Sequence, residues 1–491
     1  MNGNLYELLR NHFSAALDRD FLIPTDGALI TYRGIDEWSA QFARVLIDLG
    51  ITPGERVVVQ IPKSVEAVAL YLACLRVGAV YVPLNTAYTT AEVQFFVDDA
   101  RPALFVYSAT TDVKADSLVT IGDLSDQAAE ANPHPGVAIR LADDLAAMLY
   151  TSGTTGRSKG AMLTHANLAS NALALHKIWR FEPGDVLLHT LPIFHVHGLF
   201  VALHTAMLNA SSVIYLDRFS VAAVLDNLCR ATVLMGVPTH YVRLLEDERF
   251  DAERCSSMRL FTSGSAPMTE PVHREFESRT GHTILERYGM TEAGMITSNP
   301  YEGERVAGTV GFPLPGVEIR VCDDSGNECA IGVTGTVETR GPNLFAGYWQ
   351  LPDRTEAEHR EGGWFITGDV GSVDDEGRLT LEGRSSDMII SGGFNVYPRE
   401  LELIIDSLPG VVESAVIGVP DSDLGEVPAA VVVVDENSPT DEAAILDAVS
   451  AVAARFKVPR SVFVVDALPR NTMGKVQKAE LRNQVGRTPT N

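Results

Sequence analysis

The 491-residue chain is short of positive charge, and of lysine above all. Seven lysines occur, Lys63, Lys114, Lys159, Lys177, Lys457, Lys475 and Lys478, against a net charge of −25. A surface that acidic repels phosphate backbones and anionic lipid at long range, so neither nucleic acid nor a membrane surface is an expected partner. An anionic nucleotide can bind only where local groups reverse the field. Cysteine pairing is also missing. Cys74, Cys229, Cys255, Cys322 and Cys329 form no CxxC pair and no Cys/His metal spacing, which suits a reducing compartment rather than a disulfide framework. The N-terminal stretch MNGNLYELLRNHF lacks a basic segment followed by an apolar one, as a secretory signal would require. No apolar run approaches the ~18–20 residues of a membrane span. The expected location is therefore the cytoplasm.

What is present is an ordinary globular balance, 46% hydrophobic and 21% charged residues, in a chain long enough to bury a core without metal or disulfide staples. RVVVQIP (56–62) reads as a buried strand, SVEAVALYLACLRVG as a helix closing at Gly78, and AVYVPLN as the next strand. This βαβ rhythm predicts α/β architecture with parallel-type sheets covered by helices. Around 308–340 the pattern changes to short strands with Gly/Pro turns, which predicts a β-barrel-like part, a small antiparallel barrel or sheet. A second change follows 376–398. Pro398 opens a helix with Leu401, Ile404, Ile405 and Leu408 on one face, and Pro409-Gly410 ends it. The strands VVESAVIGVP and PAAVVVVD, a helix over 441–456 and the strand SVFVVD complete a small α+β unit. The expected division is residues 1–384 and 385–491.

The strongest local signal is TSGTTGRSKG, residues 151–160, after the strand-like run LAAMLY. Small residues let backbone approach an anion, hydroxyls donate hydrogen bonds, and Arg157 and Lys159 add charge. No Walker A spacing fits. A flexible polar loop is the plain alternative, but three Thr, two Ser, three Gly and a Lys in ten residues favour phosphate binding.

Five further segments follow in order: FTSGSAP (261–267), ERYGMTE (286–292), WFITGDVG (364–371), LEGRSSDMIISGGFNVYP (381–398) and LPRNTMGKVQK (468–478). With these, essentially the whole chain resembles the adenylate-forming superfamily of acyl-CoA synthetases, luciferases and peptide-synthetase adenylation domains. The resemblance implies an enzyme that uses ATP and Mg²⁺ to adenylate an acid and passes the acyl group to CoA. It implies that ATP lies on Thr151, Ser152, Gly153, Thr154, Thr155, Gly156 and Lys159, on Ser265, Ala266 and Pro267, and on Glu286, Arg287, Tyr288, Gly289, Met290 and Thr291. Tyr288 would stack on adenine, Asp369 accept the ribose hydroxyls, and Arg384 reach the ribose from the hinge side. Thr151 and Glu292 would hold Mg²⁺, for which a hydroxyl and a carboxylate are suitable hard ligands. Lys475 would bring its charge to the α-phosphate and acyl carboxylate on a small mobile lid domain, whose second orientation presents Ser391, Gly392, Gly393 and Phe394 to CoA. Loss of that charge by acetylation makes a lysine acetyltransferase acting on Lys475 an implied partner. The chain departs from the family's usual hinge residue, Asp or Lys, by carrying Ser386 with Asp387 next.

The resemblance places the acyl pocket around His195, a wall or gate among the catalytic residues rather than a base, since a carboxylate is already ionised at pH 7. Arg243 and Arg287 stand out beside it. A buried Arg suits a second carboxylate on the substrate and disfavours an apolar acid, and the combined motifs are most similar to the malonate-activating members of the family. Malonate or methylmalonate is the expected acid. A neutral short-chain, fatty or aryl acid, or loading of a carrier protein, remains the alternative. His197 and His240 line the pocket or simply pack.

Overall fold

The computed structural model describes residues 2–108, 110–151, 158–391, 394–421, 424–435, 440–471 and 474–485. Its first two sheets are built from runs of β-branched and apolar residues that are buried on both faces, as parallel sheets require. In the six-stranded sheet, Arg56–Gln60, Val80–Pro83 and Leu145–Thr151 run parallel, and Lys159–Thr164 returns antiparallel beside the last of them. The nine-stranded sheet has a parallel centre that includes Val186–His189, Ser212–Tyr215, Val233–Gly236, Leu260–Ser263 and Leu285–Met290.

Helix Val65–Val77 joins the two. Ser64 caps its start, accepting from Ala67 N–H, and every residue from Ala67 to Val77 is buried. A helix with no polar face needs walls on all sides. Tyr71 meets Tyr81 of the six-stranded sheet edge-on at 5.1 Å, and Tyr215 of the nine-stranded sheet reaches back to the carbonyl of Ser64. Gly78 ends the helix with φ 76°, as its place after the last apolar turn predicts.

Of the antiparallel barrel or sheet expected here, the structure has the sheet, an open one of Glu318–Cys322, Gly335–Arg340, His359–Arg360, Trp364–Val373 and Leu379–Arg384. The ten-residue strand Trp364–Val373 divides one edge between His359–Arg360 and Leu379–Arg384. No pairing among the described residues carries the sheet back to Glu318–Cys322, so the ring does not close.

After Arg384 comes the short turn Ser385–Asp387, and then a sheet of Ile389–Ser391, Phe394–Val396, Val411–Asp421, Gly425–Val434 and Ser461–Val464. Helix Pro398–Asp406 buries Leu401 and Ile405 against it, in a core separate from the others. The helix expected over 441–456 is shorter. Asp441 caps Glu442–Val452, Ala453 and Ala454 are extended, and Arg455–Lys457 forms a separate 3₁₀ turn. Among the described residues no helix is long and apolar enough to cross a membrane.

Gly78→Ala tests the junction between the two sheets. A Cβ there would sit 2.8 Å from Arg140 Cδ at a positive φ. The variant should lose about 1–2 kcal/mol in a denaturant melt, with substrate KM values unchanged.

Candidate functional site

The candidate residues converge where the parallel strands of the nine-stranded sheet end, the usual position for a ligand in such sheets. Strand Leu285–Met290 supplies the centre. Its alternation sends Glu286 and Arg287 to opposite faces. Glu286 accepts the Gly308 N–H at 3.1 Å, and burial pushes its carboxyl up to about 7 against the opposing effects of that N–H and of Arg399. Arg287 is only 3% exposed. Its Nη2 donates to His197 Nε2 at 2.5 Å, and no carboxylate among the described residues ion-pairs with it. Pairing between Arg287 and Glu286 is therefore not how the guanidinium is accommodated. Gly264 makes room for it, since a Cβ there would lie 2.2 Å from Arg287 Nη1. The next residue, Ser265, takes φ 69°, a left-handed conformation that turns the Ser265–Pro267 segment out of the strand.

Histidines surround the guanidinium. Burial first, then the charge of Arg287, holds His197 well below its ordinary pKa. Because arginine can only donate, His197 Nε2 accepts, and the ring proton sits on Nδ1. Burial lowers His195 to about 4, with Arg287 and Lys475 adding to the effect. His240 falls to about 3 through burial and then Arg243, and stacks on Phe219 at 3.9 Å. All three are neutral near pH 7, so none adds positive charge beside Arg287. Arg287 itself is lowered by burial to about 10 and stays cationic. Buried polar atoms without a protein partner gather here: Arg287 Nε, Nδ1 of His195, His197 and His240, Thr262 Oγ1 and Ser263 Oγ. Arg243 does not join them. Helix Pro238–Leu245 buries Tyr241, Leu244 and Leu245, which leaves Arg243 exposed on the other side.

One residue further along the same strand, Tyr288 Oη donates to Asp369 Oδ2 at 2.5 Å, and Arg384 Nε lies 2.8 Å from Asp369 Oδ1. Asp369 and Arg384 are register partners on adjacent strands. Gly289 lets the strand cross closely over the next one, since a Cβ would be 2.2 Å from Gly294 O; Met290 and Thr291 complete the turn into Glu292. Glu292 is buried, which raises its pKa, with Tyr348 and Lys159 opposing. Thr151 Oγ1 donates to Glu292 Oε1 at 3.3 Å. Two adjacent hard oxygens from a hydroxyl and a carboxylate fit Mg²⁺, which takes few protein ligands and completes its shell with phosphate and water.

Sequence reasoning missed two members of this end. Tyr348 Oη lies 3.0 Å from Glu292 Oε1 and 2.6 Å from Glu358 Oε2, so its one proton serves one carboxylate at a time. Lys159 pairs with Glu358 at 3.0 Å and lies over the Tyr348 ring at 4.0 Å. Glu358 follows a short helix among other acids, and nothing local separates it from a surface residue.

The C-terminal loop reaches the same cleft. A Cβ on Gly474 would meet Thr239 Oγ1 at 2.7 Å, so the loop lies against the start of helix Pro238–Leu245. Lys475 remains open to solvent at the rim. Crowding in the cleft lowers its pKa first, Arg384 adds to this, and Asp369 and Asp387 oppose it. Ser391 is buried on strand Ile389–Ser391. Phe394 begins the next strand. The expected positions Ser152, Gly153, Thr154, Thr155 and Gly156, and Gly392 and Gly393, lie outside the described residues, as does the side chain of Ser386.

Residues 10–349 match the family described as AMP-binding enzyme, and residues 400–475 match the AMP-binding enzyme C-terminal domain. The chain belongs to the AMP-binding enzymes. ATP-bound MatB of Rhodopseudomonas palustris superposes with a TM-score of 0.95 and 48% identity, covering 99% of both chains. The malonate–CoA ligase of Arabidopsis thaliana is 33% identical over 99% of this chain and 90% of its own length. A long-chain-fatty-acid–CoA ligase of Yersinia pestis is 31% identical over 98% and 94%. This AMP-binding enzyme is an acid–CoA ligase of the AMP-forming type, working through an acyl-adenylate with ATP, CoA and an acid as substrates and Mg²⁺ as the metal.

The raised carboxyl of Glu286 gives this AMP-binding enzyme a pH signature. The folded state holds that proton more tightly than the unfolded chain, so the contribution is greatest below about pH 4.5 and is lost as pH rises through about 7. Glu286→Gln removes the dependence. In urea melts at successive pH values, the variant should gain on the wild type between pH 5 and 8, by on the order of 3 kcal/mol. A difference that is flat with pH would contradict the shift.

Proposed function

We propose that the acid is malonate or methylmalonate, converted with ATP and CoA to the malonyl thioester, AMP and pyrophosphate. The observation that carries this reading is Arg287, a buried cation facing no carboxylate among the described residues and ringed by polar atoms without partners there. A second substrate carboxylate would receive a charge-assisted bond there, whereas an apolar acid would leave the charge buried and unanswered. The malonate–CoA ligase relatives support the same direction.

In this reading the distal carboxylate binds Arg287, and His195 walls the pocket. The reacting carboxylate points toward the nucleotide end and attacks the α-phosphate, and pyrophosphate leaves. Tyr288 packs against adenine, while Asp369 accepts the ribose hydroxyls with Arg384 beside it. Lys159, with its ammonium over the Tyr348 ring, would bind the phosphates, as would the backbone and hydroxyls of residues 152–156. Thr151 and Glu292 would hold Mg²⁺, whose charge neutralises phosphate oxygens. Lys475 sits where negative charge accumulates between acid and phosphate. Residues 385–491 then turn as a lid about the segment after Arg384. Ser391, Gly392, Gly393 and Phe394 come to line the thiol path, the CoA sulfur attacks the acyl carbonyl, and AMP leaves. Five free cysteines fit a reducing cytoplasm.

Arg287→Ala should lower kcat/KM for malonate by ~2–5 kcal/mol of transition-state stabilisation, and that for butyrate far less. Steady-state AMP release with both acids measures this. Equal losses, or a wild-type preference for octanoate or benzoate, would overturn the dicarboxylate reading. Lys475→Ala should slow adenylation by ~10²–10³ yet largely spare thioester formation from pre-made acyl-adenylate. Site-specific acetylation of Lys475 by an acetyltransferase should do the same; equal loss in both half-reactions would reject the two-orientation scheme.

A further inference from the structure

A polar chain outside the motifs leads to the back of Arg287. Lys63 follows strand Arg56–Gln60 and lies just before the capping Ser64. Its Nζ contacts three acceptors: His189 Nδ1 at 2.7 Å, His189 O at 2.9 Å and Leu216 O at 2.6 Å. Three acceptors match the three protons of an ammonium. Lys63 thus ties the end of one sheet to the ends of two neighbouring strands of the other, with the Tyr215 ring 4.4 Å away.

His189 is 1% exposed. Its Nδ1 accepts from Lys63, so its Nε2 carries the proton and donates to Gly198 O at 2.9 Å. Burial and the Lys63 charge both keep the ring neutral, in keeping with that tautomer. Gly198 belongs to the π-helical segment His197–Leu203. The segment is seated closely, since a Cβ on Gly198 would lie 2.1 Å from Pro192 O. The residue before Gly198 is His197, the one whose Nε2 receives Arg287. The Gly198 carbonyl is held by this donor from outside the segment, so the His189 bond helps set where His197 sits.

We propose that Lys63 and His189 are positioning residues for Arg287: by clamping the Gly198 carbonyl they fix His197, and through it the guanidinium that reads the acid. Neither touches substrate. The proposal rests on the dicarboxylate reading above.

The test is a double-mutant cycle read as the ratio of malonate to butyrate kcat/KM. His189→Leu removes both ring bonds, and Lys63→Gln, run in parallel, removes the ammonium should the first variant fold poorly. In the wild-type background each should lower the ratio by about tenfold or more, mainly through malonate KM, with ATP KM unchanged. In an Arg287→Ala background the same substitutions should leave the ratio unchanged. Equal losses on both acids, or the same fall with Arg287 absent, would overturn the proposal. If Arg287→Ala alone leaves the ratio intact, the dicarboxylate reading itself fails, and that outcome is separate from the first.

Discussion

Burying a guanidinium without a carboxylate beside it is expensive unless its protons and its charge are otherwise met, and the architecture around Arg287 follows from that requirement. His197 accepts one proton as a neutral ring, which burial enforces. His195 and His240 are kept neutral by the same means, so no second cation competes for the space. Tyr241 lies close enough to favour the charged arginine, with its hydroxyl proton committed to Thr262 O at 2.6 Å. Among the described residues no carboxylate ion-pairs with the guanidinium, so its charge is met by a neutral ring and nearby dipoles alone.

Strand Leu285–Met290 carries this acid end and the nucleotide end on one short rigid element. Consecutive residues address different tasks because successive side chains leave opposite faces. Glu286 turns to the backbone of Gly308, Arg287 to the histidines, and Tyr288 to Asp369. Two residues beyond the strand, Glu292 meets Thr151 from the other sheet. The spacing of these three side chains is thus set by the rise of a single strand, which changes little with side-chain motion.

Local signals were legible where the physics is local. Helix Val65–Val77 could be read with its end at Gly78, because an apolar run followed by a left-handed glycine needs nothing beyond its own neighbours. Helix Pro398–Asp406 was equally plain from its N-terminal proline and its apolar spacing. Motif order placed Thr151, Tyr288, Glu292, Asp369, Arg384 and Lys475, which the fold draws into one cleft. What the local signals left open is non-local. Whether a sheet closes depends on pairing between distant strands, and here the long strand Trp364–Val373 spends its edge on two partners. Arg243 is expected at the pocket because it follows a Pro-Thr turn and an apolar strand, yet helix Pro238–Leu245 buries Tyr241, Leu244 and Leu245 and leaves Arg243 exposed. Glu358, Tyr348, Lys63 and His189 acquire meaning only from what lies across from them.

Gly264 and Arg287 occupy one volume between them, since even a methyl group at 264 would fall within 2.2 Å of the guanidinium. The side chain is not the whole obstacle, because the backbone oxygen of residue 287 would lie 2.8 Å from the same Cβ. Position 264 is therefore closed to a side chain whichever residue stands at 287. A change of acid preference at this wall has to be made at 287 alone, with 264 held as glycine throughout.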